Sequence, residues 1–304
     1  MGRIKNFIFD KRTRIRVLNR NGLYSKLGDQ EYLSKMFYAY LGHELNLKNP
    51  KTFNEKIQWL KLYNRKPEYT MIVYKYMVRD YIAEKLGDEY LIPFLGVWDD
   101  PDEIDFGALP NQFVLKCNHN SGTGMCICKD KSKLDIQSVK KNLWKGLKED
   151  YFLTSREWPY KDVPRKIIAE KYMVDESGVE LKDYKILCFN GKPDNIMVCT
   201  GRSSGNVRYY FFDRNWNFLK YQHVDVDIPD DFKLPKPEHL DEMFKIADVL
   251  CKGFPLVRVD LYQADNRVYF GELTFYPDSG FDTDILPSTD KLFGEKLVLP
   301  EVIR

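Results

Sequence analysis

The sequence is poor in the features that usually assign a class at once. It has only four histidines among 304 residues, and no nucleophile motif, so neither a Ser-His-Asp nor a Cys-His arrangement is in evidence. Charge of one sign is not in excess: 47 Lys and Arg against 45 Asp and Glu give a net charge of +2, too balanced for nucleic acid as the main partner. No apolar run approaches the roughly 20 residues that span a bilayer, and no signal-peptide pattern opens the sequence. Of the six cysteines, the closest pair, Cys126 and Cys128, lacks the C-x₂₋₄-C spacing of a zinc site. Cys117, Cys188, Cys199 and Cys251 lie in apolar segments, where a thiol acts as a small hydrophobe. The expectation is a cytoplasmic protein with reduced thiols. Internal repeats and low-complexity tracts are absent, and so are the P-loop and the Rossmann fingerprint.

What is present is an ordinary globular composition, 43% hydrophobic and 30% charged, with 20 Tyr and 19 Phe. Two acidic residues near the C-terminus stand out. Asp260 lies in Phe254-Pro-Leu-Val-Arg-Val-Asp-Leu-Tyr262 and Glu272 in Arg267-Val-Tyr-Phe-Gly-Glu-Leu-Thr-Phe275, with the turn residues Asp265-Asn266 between them. The pattern predicts a hairpin. Alternation puts Arg258 and Asp260 on one side of their strand, as it does Glu272 and Thr274. Two carboxylates and an arginine on one surface make a poor core, but they suit Mg²⁺ held against phosphate oxygens.

Upstream, Phe113–Cys128 reads as an apolar strand bearing Lys116, then an Asn/Ser/Gly/Thr loop, then a second short strand. A buried Lys116 requires an anionic partner. In the loop Ser121-Gly122-Thr123-Gly124, the glycines would let backbone N–H groups approach a phosphate. A third segment, Arg165–Met173, is an apolar strand ending in Glu170, Lys171, Tyr172 and Met173. It precedes Leu181–Pro193, where Asn190-Gly191 predicts a type I′ turn.

Helices are expected over Glu31–Leu41, from a capping box at Thr52–Glu55 to about Tyr63, over Glu68–Leu86 with Lys75 and Arg79 on one face, over Gln137–Lys148, and over Pro237–Lys252. At the start, Arg3, Lys5, Lys11, Arg12, Arg14, Arg16 and Arg20 face only Asp10. Two readings stand for residues 3–20: a docked helix with solvated charges, or a segment making weak, reversible contact with anionic lipid.

The order of lysine strand, glycine flap, "IIAEKYM" edge, "KDYKILCFNGKP" hairpin and "VRVDLY…VYFGELTF" resembles the ATP-grasp superfamily. Within it, the chain is similar to the branch named for teichuronopeptide biosynthesis, from about Lys51 to Pro287. The resemblance implies an α+β ATP-grasp fold with two strand-rich lobes enclosing the nucleotide. It divides the chain into a helical acceptor-side region (1–90), a first lobe (91–172) and a second lobe with the metal hairpin (173–304). The implied cofactors are ATP and Mg²⁺. Lys116 resembles the lysine on the α/β-phosphates, and Asn120 to Gly124 the flap. Glu170, Lys171, Tyr172 and Met173 resemble the adenine hinge, whose side chains need carry no information. Asp183 resembles the acid at the ribose end, with Lys185 facing the phosphates. Asp260 and Glu272 resemble the Mg²⁺ ligands. Thr274 stands where the family usually has Asn, which places the second metal position in question.

Arg202 and Arg258, with Lys185, are the candidates to hold the reacting carboxylate or acyl-phosphate; a solvated loop position is the other reading of Arg202. The implied activity is an ADP-forming carboxylate–amine ligase of surface-polysaccharide biosynthesis. Its partners would be a saccharide or amino-acid carboxylate and an amine donor. Two alternatives remain at this stage. One is a glycosyltransferase using Asp225-x-Asp227, a pair that also fits a plain acidic loop beside Asp230 and Asp231. The other is an ATP-dependent kinase of a sugar acceptor.

Overall fold

The computed structural model describes residues 10–301. Arg3 and Lys5, part of the basic segment above, lie outside the described residues. The helices are α1 (Lys11–Arg20), α2 (Asp29–Leu41), α3 (Phe53–Tyr63), α4 (Pro67–Val73), α5 (Val78–Lys85), α6 (Ile136–Lys148), α7 (Phe152–Ser155), α8 (Leu240–Leu250) and α9 (Pro287–Lys296). The strands are β1 (Phe94–Trp98), β2 (Phe113–Cys117), β3 (Met125–Cys128), β4 (Ile167–Lys171), β5 (Asp183–Phe189), β6 (Lys192–Thr200), β7 (Arg208–Phe212), β8 (Phe218–Leu219), β9 (Leu256–Ala264) and β10 (Arg267–Thr274).

They form two antiparallel sheets, ordered β1-β4-β2-β3 and β10-β9-β5-β6-β7-β8. The smaller sheet packs on α6 around Phe113, Leu115, Leu143, Ile167 and Ala169. The larger sheet shares one core with α3, α4, α8 and α9, built on residues such as Ile57, Ile186, Phe244, Val259 and Phe293. The helices before residue 90 therefore do not form a separate body. Most of them complete the core of the second sheet.

Local signals explain the element ends. Thr52 and Glu55 form a reciprocal cap at the start of α3: the Glu55 N–H donates to Thr52 Oγ1 at 3.3 Å and the Thr52 N–H to Glu55 Oε2 at 3.2 Å. Asn190 and Gly191 both take positive φ (52° and 74°), as do Asp265 and Asn266 (52° and 54°), which is the type I′ geometry of tight hairpins.

Two expected helices differ. The segment 68–86 is not continuous; it breaks at Tyr74–Met77, where Tyr74 is extended and Tyr76 packs on Phe94 at 5.6 Å. Burying these rings interrupts the helix, so Lys75 sits in the break instead of one turn below Arg79. The helix expected from Pro237 starts only at Leu240, after a turn in which the Leu240 N–H donates to the Pro237 carbonyl. Among the described residues no helix is long and apolar enough to cross a membrane.

Candidate active site at the junction of two sheets

The site begins with cross-strand register. Asp260 on β9 stands opposite Glu272 on β10 and opposite Lys185 on β5. A bulge between Phe270 and Glu272 re-aims the end of β10. Gly271 fits there because a Cβ would lie 2.9 Å from the Asp260 carbonyl.

Asp260 is 1% exposed and both oxygens of its carboxylate accept from cations. Arg258 reaches it bidentately, Nε to Oδ1 at 2.7 Å and Nη2 to Oδ2 at 2.8 Å, and Lys185 Nζ donates to Oδ2. Burial alone would raise the Asp260 pKa, but Arg258 and Lys185 outweigh it and hold the carboxyl below its ordinary value. Lys185 also lies 3.6 Å from Asp183, whose Oδ2 takes Arg202 Nη2 at 2.5 Å. Burial disfavours the charged Arg202, yet Asp183 prevails and its pKa is raised. Arg202 is thus tied into the site, not a free loop residue.

Glu272 differs from Asp260. Its side chain is 37% exposed, and its ion pair with Arg258 Nη2 is loose at 3.7 Å. Thr274 Oγ1 accepts from the same Nη2 at 3.2 Å. A cavity of about 320 Å³ opens over this surface, and Ser121, Lys185, Arg202, Arg258 and Glu272 all line it.

The smaller sheet carries a second polar group. Lys116 Nζ meets Glu170 Oε2 at 2.6 Å, supplying the anionic partner that the sequence demanded. Arg79 Nη1 approaches Glu170 Oε1 at 3.5 Å and stacks on Phe94, with its guanidinium carbon 4.9 Å from the ring centroid. Glu170 thus engages both cations through its side chain. The Lys171 N–H is engaged by the Pro93 carbonyl at 2.9 Å, while Tyr172 stacks near Lys129 and Met173 is buried with Ile92 and Tyr269.

The flap connects β2 to β3 at the cavity mouth. Gly122 (φ +88°) has open space where a Cβ would stand, so only its left-handed backbone requires glycine there. Gly124 has another reason to be glycine: a Cβ there would meet Cys117 Sγ at 2.6 Å and the Gly146 Cα of α6 at 2.8 Å. It is a packing contact.

Sequence reasoning missed three groups. Lys75 Nζ donates to the Asn120 carbonyl at 2.7 Å, at the root of the flap, and burial lowers its pKa despite the nearby Glu272. Arg79 supports Glu170. Asp278, Asp282 and Asp284 line the same cavity as the basic side chains. The acid-rich run Asp278-Ser-Gly-Phe-Asp-Thr-Asp284, directly after the β9–β10 hairpin, was the available signal for the last group.

The fit to Mg²⁺ can be judged from the donor set. Among the described residues no group of three or more His, Cys, Asp or Glu converges on one point. Mg²⁺ beside a nucleotide, however, needs only one or two carboxylates, with phosphates and water completing its shell. Glu272 and the second lone pair of Asp260 Oδ1 are the donors that could fill that role. Thr274 is committed to Arg258 and contributes least. Asp225, the other acidic candidate, is fully buried and accepts from the Tyr221 and Gln222 N–H groups at 3.1 and 2.9 Å. It is a structural cap, and Asp227 is exposed on the loop beyond it.

A family model described as TupA-like ATPgrasp matches residues 55–298. The chain belongs to the TupA-like ATP-grasp family. Its α+β architecture of two antiparallel sheets is the ATP-grasp fold. Family membership leaves the nucleotide-sugar transferase reading without support. No curated protein matches the sequence. Solved structures similar to this family member include D-alanine–D-alanine ligase from Bacillus anthracis complexed with ATP (17% identity, TM-score 0.44, covering 75% of this chain and 62% of that one). Another is D-alanine–D-alanine ligase from Helicobacter pylori (15% identity, TM-score 0.42, 81% and 69%). The chain thus spans less than two thirds of the first of these.

Proposed function

We propose that this ATP-grasp protein is an ADP-forming carboxylate–amine ligase that activates a carboxylate as an acyl-phosphate, acting on a saccharide or amino-acid unit of a surface polysaccharide. The observation that carries the reading is the alternating row Arg258–Asp260–Lys185–Asp183–Arg202 beneath a cavity that also exposes Glu272. Family membership supports ATP-dependent carboxylate–amine ligation in general.

In this reading the phosphate tail lies over the junction of the sheets. Lys116 and Lys75 reach it from the smaller sheet and the broken helix, and Lys185 from the larger sheet. Glu272 and Asp260 would hold Mg²⁺, which would neutralise phosphate charge during transfer. Arg258 and Arg202 face the cavity and can clamp a planar carboxylate or the phosphoryl oxygens. Asp260 and Asp183 keep both guanidiniums and Lys185 in place before substrate arrives, so little reorganisation accompanies the reaction. Closure of Asn120–Gly124 over the cavity would exclude water from an intermediate prone to hydrolysis.

Hydroxylamine trapping tests the proposal. Incubation with Mg-ATP and a panel of uronic acids and amino acids should yield a hydroxamate and ADP from at least one carboxylate. ADP accompanied by a stable phosphate ester, with no hydroxamate from any member, would identify a kinase instead.

A further inference from the structure

One buried face of α3 is polar. Asn54, Gln58 and Lys61 stand at i, i+4 and i+7, so they share one side of the helix, and all three are fully buried. Each turns to the segment just after β10. Asn54 exchanges hydrogen bonds with the Asp282 backbone: its Nδ2 donates to the carbonyl at 3.1 Å and its Oδ1 accepts from the N–H at 2.9 Å. Gln58 Nε2 donates to the Ser279 and Gly280 carbonyls at 3.1 and 2.6 Å. Lys61 Nζ donates to the Ser279 and Ser155 carbonyls at 2.6 and 2.9 Å and lies 4.6 Å from the centre of the Phe281 ring. The Ser155 and Ser279 hydroxyls in turn donate to Glu157 Oε1 at 2.9 and 2.5 Å. Burial opposes the charge on both Lys61 and Glu157, and each favours the charge of the other.

What this seam grips is strained. Asp278, Ser279 and Gly280 take φ of 47°, 54° and 63° in succession, a left-handed backbone that is costly for the first two. Gly280 admits no side chain, since a Cβ would lie 2.4 Å from Gln58 Nε2. Gln58 carries a cost of its own: its nitrogen serves the turn while its buried Oε1 has no hydrogen-bond partner. Such strain persists only where surrounding contacts over-determine it, and it clusters where a position matters for function.

The gripped turn borders the cavity. Pro277, Asp278 and Asp282 line it together with Arg258 and Glu272. Asp278 also acts on Arg258. Burial disfavours the guanidinium charge, but Asp260 first, then Glu272 and Asp278, outweigh it and raise the Arg258 pKa. Asn54, Gln58 and Lys61 are not among the cavity-lining residues, so any influence they have passes through the turn.

We infer that Asn54, Gln58 and Lys61 are positioning residues, which fix the turn at 278–282 and thereby the room in which the reacting carboxylate lies against Arg258. The inference rests on the ligase reading and deepens it. It gives α3 a part in the carboxylate half of the reaction and none in nucleotide binding.

Lys56 supplies the matched control. It lies on the same helix and its Nζ also donates to two backbone carbonyls, those of Gly294 and Leu297 at 2.7 and 2.6 Å, but it holds the end of α9 and not the turn. The full chain carrying Gln58→Met, Lys61→Met or Lys56→Met is compared with wild type in two assays. One is hydrogen–deuterium exchange; the other is the initial rate of hydroxamate formation with Mg-ATP and a carboxylate that wild type activates. Gln58→Met keeps the side-chain volume and removes only its polar end, so it carries the test where Lys61→Met fails to fold. In Gln58→Met the amides of Ser279, Phe281 and Asp282 should exchange faster. Its kcat/KM for the carboxylate should fall roughly ten- to hundredfold, as misplacement of a reacting group does, with the KM for ATP unchanged. Lys56→Met should show neither effect. Unchanged exchange in this segment, an equal loss in Lys56→Met, or a KM for ATP that rises in step with the loss on the carboxylate would overturn the assignment. The ligase reading fails on a different result, a wild type that yields no hydroxamate; the exchange comparison then still decides whether the seam holds the turn.

Discussion

Replacing Asp260 by Asn should do more than remove a proposed metal ligand. The side chain is 1% exposed and accepts three charge-assisted hydrogen bonds, two from Arg258 and one from Lys185. The side chains of those partners are themselves 13% and 8% exposed. An amide has one acceptor oxygen and no charge, so it leaves two buried cations undercompensated. Breaking a buried pair in this way costs about 3–5 kcal/mol, a large part of a typical domain's 5–15 kcal/mol. Glu272→Gln is the matched control: at 37% exposure and 3.7 Å from Arg258, its loss should change stability by less than about 1 kcal/mol. Urea unfolding followed by circular dichroism should show a lowered midpoint at unchanged slope for Asp260→Asn only. The double variant Asp260→Asn with Arg258→Met should recover part of the loss. Because the Asp260 pKa is lowered in the fold, its contribution is present above the ordinary carboxylate value and is lost as pH falls through the folded value. The variant should therefore show a weaker acid destabilisation than wild type. Equal losses in Asp260→Asn and Glu272→Gln, or no loss in either, would refute the reasoning.

Lys61 is fully buried, and burial lowers its pKa to about 7, so between pH 7 and 10 the unfolded chain binds more protons and stability should rise with pH; Lys61→Met should flatten that slope in thermal scans. Gly124→Ala should cost about 2–5 kcal/mol, its left-handed backbone plus a clash with Cys117 and α6, whereas Gly122→Ala, with nothing within 4 Å of a Cβ, should cost only the roughly 1–2 kcal/mol of left-handed backbone, both by chemical denaturation. In thermal-shift titration Mg-ATP should stabilise the protein and UDP-, CDP- and GDP-sugars should not, with Lys116→Ala weakening the ATP response. Stabilisation by a nucleotide-sugar alone would contradict the site as drawn.

Much of the outline was legible in the sequence because the signals were local. The Asn190-Gly191 and Asp265-Asn266 turns, the cap at Thr52–Glu55 and the alternation around Asp260 each depend on a few neighbouring residues whose backbone preferences are intrinsic. The need of Lys116 for an anion also followed from burial alone, although its partner did not. The family resemblance added the order in which these pieces come together.

Other features required tertiary structure. The pairing of Lys116 with Glu170 joins two strands separated by more than fifty residues, and the row from Arg258 to Arg202 depends on β5 lying beside β9. No local preference encodes that adjacency. The helix expected over 68–86 has good helical composition throughout, and it breaks because Tyr74 and Tyr76 gain more by packing than the backbone loses by leaving the helix. The same competition moves Lys75 to the root of the flap. Gly124 looked like a phosphate-loop residue and proves to be the point where α6 touches the loop. Asp225 read as part of a plain acidic loop or of a metal-binding pair, and it is a buried cap. Sequence determined which residues could carry charge, turn or pack; only the fold decided which charges meet, because electrostatic partners and close contacts are set by distance in space, to which spacing along the chain is blind.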